Sequence, residues 1–163
     1  MTRDEEFMEH ALLLAKEAYQ RDEIPVGAVI VKDNVIIAEG SNSNREKNDA
    51  TMHAEIIAIK DASRHLNNER LVGCDLYVTK EPCAMCAGAI IMSRINKLFY
   101  GARDEITGSC GSVVNLFMEN YGQSTQVTGG VLANDCAKLL SGFFRRIRSH
   151  AEQTGRGDGS SVH

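Results

Sequence analysis

Apolar side chains at Phe7, Met8, Ala11, Leu12, Ala15, Ala18 and Tyr19 recur every three or four positions between residues 4 and 21, with acids in the first turn. That spacing predicts an amphipathic helix. After Ile24-Pro25 the period shortens. Val26-Gly27-Ala28-Val29-Ile30-Val31 is β-rich, Asp33-Asn34 can turn the chain, and Val35-Ile36-Ile37-Ala38 returns, the pattern of a hairpin. A polar loop is expected over residues 40–51, then a helix over 53–66 built on Ile56, Ile57, Ala58, Ile59 and Ala62. Next come a strand at 75–79, a helix opening near Pro82 and running to Ser93, a strand at 97–101 and a glycine-rich connection to Gly111. The remainder predicts a short helix at 113–118, a weak strand at 125–128 and a helix at 134–149 carrying Leu139, Leu140, Phe143 and Ile147.

Strands alternating with helices after a hairpin indicate the α/β class, with helices covering a mixed sheet of five strands. Strands 75–79 and 97–101 are joined by a helix and should lie parallel. One domain is expected over residues 1–150. Residues 151–163 are expected to form a flexible tail, because the glycines and serines at its end cannot recover their ordering entropy.

Composition narrows the class. With 163 residues, 43% hydrophobic and 25% charged, folding can bury roughly 70% of the chain's surface without disulfides. Five cysteines, an odd number, suit free thiols in a reducing compartment, some holding metal, better than a secreted framework. The longest apolar runs fall far short of the ~20 residues of a membrane span. The opening Met1-Thr2-Arg3-Asp4-Glu5-Glu6 is too acidic for a signal peptide, so a cytoplasmic protein away from membranes is expected. A net charge of -4 excludes a uniformly basic surface. The one dense basic cluster, Lys138 with Arg145, Arg146 and Arg148, is either a solvated helix end or a local nucleic-acid contact.

The chemistry lies in His53-Ala54-Glu55 and Pro82-Cys83-Ala84-Met85-Cys86, each at the start of a predicted helix. Cys-x-x-Cys on a first helical turn aims two sulfurs at one point, and the helix N-terminus favours thiolates. An imidazole from His53 would complete a three-ligand set that selects zinc, leaving the fourth tetrahedral position to activate water. Glu55, two residues beyond His53, can reach that water without ligating the metal and serve as general acid and base. Two other readings stand beside this one: a closed structural zinc site with Cys74, Cys110 or Cys136 as fourth ligand, and a redox Cys-x-x-Cys pair.

These two motifs resemble the signature of the zinc-dependent nucleobase deaminases. Glu23-Ile24-Pro25-Val26-Gly27-Ala28, Asn42, Leu76-Tyr77-Val78-Thr79 before Glu81-Pro82-Cys83, Tyr100-Gly101-Ala102-Arg103-Asp104 and Phe143-Phe144-Arg145 extend the likeness to the bacterial tRNA adenosine deaminases, from about Glu5 to Arg148. The resemblance implies a cytidine-deaminase-like three-layer α/β/α sandwich, a homodimer, one zinc ion (Zn2+) per subunit held by His53, Cys83 and Cys86, and Glu55 as catalytic proton shuttle. It also implies conversion of adenosine to inosine at the wobble position of a tRNA anticodon stem-loop. Substrate contacts carried over are Val26 as an apolar wall, Asn42 on the purine edge, the Ala54 backbone, Asp104 near the target sugar, and Phe144 with the adjoining arginines on flanking nucleotides. A deaminase of free bases or nucleosides, such as guanine or cytosine, would use the same zinc site. Two stretches depart from the family pattern: Tyr121-Gly122-Gln123-Ser124-Thr125 replaces an Asn-His-Arg triplet, and Lys80 replaces an apolar residue.

Overall fold

The computed structural model describes residues 1–122 and 124–154. Thr2 caps α1 (Arg3–Gln20): its hydroxyl accepts from the Glu5 N–H at 3.1 Å, and the Glu5 carboxylate accepts from the Thr2 N–H at 3.0 Å. Strands β1 (Gly27–Lys32) and β2 (Val35–Ser41) form the predicted hairpin, with Asp33 and Asn34 at φ of 51° and 63° in its turn. The chain continues through α2 (Asn44–Lys47), α3 (Ala54–Leu66), β3 (Cys74–Lys80), α4 (Ala84–Met92), β4 (Lys97–Ala102), a 3-10 turn (Leu116–Met118), β5 (Gln126–Thr128) and α5 (Ala133–Thr154).

The five strands lie in the order β2-β1-β3-β4-β5. The β1 strand pairs antiparallel with both β2 and β3, while β3, β4 and β5 run parallel, so the sheet is mixed. Alternation along the strands divides the core into two layers. Ala28, Ile30, Leu76, Val78 and Leu98 pack with Ala54, Ala58, Ala62 and Ile90 of α3 and α4. Val29, Val31, Tyr77 and Phe99 pack with Met8, Ala11 and Leu12 of α1 and Cys136 of α5. Because both faces are covered, the strands read as nearly continuous apolar runs. In the second layer Tyr77 stacks on Phe99, with ring centroids 4.5 Å apart, and its hydroxyl donates to Asp4 Oδ1 at 2.6 Å.

Strand direction decides where the site forms. The start of β1 lies beside the end of β3, fixed by the Gly27 N–H donating to Thr79 Oγ1 at 3.1 Å. There the N-terminal ends of α3 and α4 meet. Gly40 of β2 permits the approach of α3, because a Cβ there would collide with the Ala54 carbonyl oxygen and lie 2.8 Å from the Ala58 nitrogen.

Several boundaries differ from expectation. The β2 strand runs through Gly40 to Ser41, where a loop was expected, because it pairs with β1 along its length. The polar loop contains a single helical turn, α2, whose leading Arg45 and Glu46 N–H groups donate to the buried Glu23 carboxylate at 3.1 and 2.8 Å. The expected helix at 113–118 contracts to the 3-10 turn, with Asn115 Oδ1 accepting from the Phe117 N–H. Helix α5 extends to Thr154, so residues 151–154, assigned to the tail, continue it. The rest of the expected tail lies outside the described residues, as does Gln123. Among the described residues, no helix is long and apolar enough to cross a membrane.

Candidate metal centre

His53 is the N-cap of α3, with extended backbone at φ -75° and ψ 154°, and its imidazole faces the neighbouring helix rather than capping its own. The helix expected to open near Pro82 does so with Cys83 as the N-cap of α4, and Cys86 stands in the first turn. The Pro82 carbonyl is occupied elsewhere, accepting from the Ser109 N–H at 2.8 Å. His53 Nδ1 lies 3.6 Å from Cys83 Sγ and 3.4 Å from Cys86 Sγ. One ligating atom from each residue lies within 4.8 Å of the other two. A tetrahedral zinc with Zn–N of ~2.1 Å and Zn–S of ~2.3 Å would separate nitrogen from sulfur by about 3.6 Å. The three side chains therefore fit one zinc ion per chain, in both donor chemistry and spacing. Cys74, Cys110 and Cys136 are free thiols that do not join the cluster, so among the described residues no fourth cysteine closes it.

Glu55, one residue into α3, is 2% exposed, and its Oε1 has no hydrogen-bond partner. An unpaired buried carboxylate oxygen is costly, and burial raises this carboxyl above its ordinary range. The two thiols are coupled. Hydrogen bonding from Cys86, against the cost of burial and aided by His53, brings Cys83 down to about 4, while Cys86, as the hydrogen-bond donor, is pushed up. One thiolate is thus already favoured without metal.

Val26, Asn42 and Ala54 come together beside this cluster. The Asn42 N–H donates to the Val26 carbonyl at 3.1 Å, its carbonyl accepts from Arg21 at 3.1 Å, and its Oδ1 accepts from the Ala54 N–H at 2.8 Å. Asn42 therefore caps α3, and all three residues are fully or almost fully buried. Asp104 approaches from the segment after β4. Its carboxylate accepts from the Ile106 and Thr107 N–H groups and from the Thr107 hydroxyl, and pairs with Lys80 Nζ at 3.0 Å. Burial opposes its ionisation, but Thr107 and Lys80 outweigh that cost and hold the carboxyl below its usual value. Phe144 is not brought to this cluster. It lies on α5, in the other helical layer, edge-on to Phe143 at 5.7 Å.

Sequence reasoning missed two restraints. Glu81, buried beside Pro82, accepts from the N–H groups of Asp104, Cys110 and Ser112 and from the Ser112 hydroxyl. An acid directly before Pro-Cys was the available signal. Arg146, grouped with the basic cluster, is held within the fold: it bonds Asp22 at 2.8 Å and lies over the Tyr19 ring at 4.3 Å. Its Asp22 and Tyr19 partners are more than a hundred residues away, so no local pattern reveals them.

The family model for the cytidine and deoxycytidylate deaminase zinc-binding region matches residues 1–102. A tRNA-specific adenosine deaminase of Haemophilus influenzae is 48% identical over 147 residues, covering 89% of this chain and 85% of the relative. The chain belongs to the bacterial tRNA-specific adenosine deaminases. A structure from work on A-to-I editing by tRNA:A34 deaminases at the wobble position of transfer RNA resembles this family member with a TM-score of 0.80 and 46% identity. That likeness covers 83% of this chain and 99% of the other. Guanine deaminase from Bacillus subtilis shares the architecture at a TM-score of 0.59 and 46% identity, over 61% of this chain and 64% of its own.

Proposed function

We propose that this protein hydrolyses the exocyclic amine of adenosine at the wobble position of a tRNA anticodon, releasing ammonia and leaving inosine. The carrying observation is identity sustained along the chain: the tRNA:A34 deaminase structure is 46% identical over 83% of this chain, whereas guanine deaminases reach 26% over 85% (Nitrosomonas europaea) or 46% over only 61% (Bacillus subtilis). His53, Cys83 and Cys86 would hold the zinc. Bound there, zinc supplies a Lewis acid that makes water nucleophilic at neutral pH. Glu55 moves the protons: its buried Oε1 takes one from the attacking water and gives it to purine N1, then takes the second from the oxygen now bonded to C6 and gives it to the amine, which leaves as ammonia. Val26 walls the base, and Asn42, its Oδ1 kept on the Ala54 N–H, offers its amide nitrogen to the purine edge.

As in other zinc nucleobase deaminases, the target base must leave its stack, which costs least in a loop already unstacked. An anticodon loop meets that condition. Phe144 and the exposed Arg145 and Arg148 would meet nucleotides flanking the target, within the cytoplasm where such RNA is processed. A homodimer is part of the proposal. Helix α4 and the segment after β4 leave Met92, Ile106, Val113, Val114 and Met118 exposed, a set of apolar side chains that self-association would cover.

The test is ammonia release by the zinc-loaded protein from a panel of anticodon stem-loops, free nucleosides and free bases. Release from a stem-loop carrying adenosine at the wobble position, with none from free bases, is expected. Release from guanine or a nucleoside alone would replace this substrate with a free heterocycle.

A further inference from the structure

The surroundings of Lys80 give it work to do. It ends β3, three residues before Cys83, with its side chain only 11% exposed. Its ammonium pairs at 3.0 Å with Asp104, which is 8% exposed. Two buried charges in such contact are expensive to separate, because removing one leaves the other uncompensated.

The next two residues grip the same segment. Glu81 accepts from the N–H groups of Asp104, Cys110 and Ser112 at 3.1, 2.9 and 3.2 Å, and the Pro82 carbonyl accepts from the Ser109 N–H at 2.8 Å. Gly108 seals the arrangement: a Cβ there would meet the Asp104 carbonyl oxygen and lie 2.5 Å from the Glu81 carboxylate. Residues 80–82 thus fasten residues 104–112 beside the ligand Cys83.

We propose that Lys80 is a positioning residue for substrate: by pairing with Asp104 it holds the 104–112 segment in place beside the metal ligand Cys83, as a wall of the site. The proposal rests on the deaminase reading for its kinetic consequence but not for its structural one. The partner of the Lys80 ammonium, Asp104, is neither a metal ligand nor the proton shuttle, so loss of the pair should spare the chemistry and disturb binding.

The experiment compares the zinc-loaded full chain with Lys80→Met, Lys80→Arg and the double variant Lys80→Met/Asp104→Asn. Two readouts are taken, hydrogen exchange over residues 104–112 and steady-state kinetics on whichever substrate the unaltered protein deaminates. Lys80→Met should retain one zinc, speed exchange in that segment about tenfold or more, and raise KM about fivefold with kcat within about twofold. Lys80→Arg should restore both readouts. The double variant, which buries no lone charge, should fold even where Lys80→Met does not, and, lacking the pair, should keep the faster exchange and the raised KM. Unchanged exchange in Lys80→Met or, if that variant fails to fold, in the double variant overturns the clamp, whatever the substrate. A fall in kcat or zinc content matching the rise in KM overturns the positioning role. Inactivity of the unaltered protein on RNA counts against the proposed function and leaves the exchange result standing.

Discussion

At the scale of single residues, Glu55 shows what a site gives up in stability. Burial raises its carboxyl, so the folded chain holds that proton more tightly than the unfolded chain does. Its stabilising contribution is therefore complete below the unfolded pKa and is lost as pH rises through the folded value. We predict that metal-free Glu55→Gln melts higher than the metal-free parent at pH 8, by the equivalent of about 1–2 kcal/mol, and that the gap narrows at pH 5. Equal melting at both pH values would contradict a carboxyl whose charged form is disfavoured by burial. The thiols separate in the same way. Cys83, brought to about 4 chiefly by hydrogen bonding from Cys86, is the thiol whose ionisation its surroundings favour, whereas burial pushes Cys136 up to about 12 and raises Cys74 and Cys110. Iodoacetamide should label Cys83 first in metal-free protein and spare it when zinc is bound, as mass spectrometry of the peptides will show. Labelling that ignores zinc would remove Cys83 from the ligand set.

Elements position what residues perform, and here much of the outcome was legible in the chain. Period-3.6 spacing located α1, α3 and α4, and the β-rich runs located the hairpin and the two central strands, because each carries an apolar face long enough to show its period. The metal ligands were legible for a related reason: capping positions of two helices repeat a spacing that zinc chemistry constrains. The roles of Glu81 and Glu23 were not, since a buried carboxylate that collects N–H groups from a distant loop leaves no periodic trace. The role of Gly40 is likewise a long-range matter of α3 approaching β2. Gly40→Ala should displace the start of α3, which carries His53 and Glu55, and cost about 2 kcal/mol or more in denaturant unfolding while weakening zinc retention. Unaltered stability and zinc content would show that this close approach does not set the site.

For the whole molecule, the question is how a chain of net charge -4 engages a polyanion. Arg146 is committed to Asp22 and the Tyr19 ring, which leaves Arg145 and Arg148 as exposed cations on the same stretch of α5. Replacing both by Ala should weaken stem-loop binding and lower the slope of log K against log salt by about 1–2, whereas Arg146→Ala should chiefly reduce stability. An unchanged salt slope for the Arg145/Arg148 variant would place the RNA elsewhere. These effects all depend on the buried centre between α3 and α4. The most direct measurement pairs zinc content with inosine formation on an anticodon stem-loop, for the parent and for Glu55→Gln. The account predicts one zinc per chain in both proteins, inosine from the parent, and turnover reduced by a factor of about 10²–10⁴ in the variant. Turnover that survives in Glu55→Gln, or a parent protein without stoichiometric zinc, would contradict it.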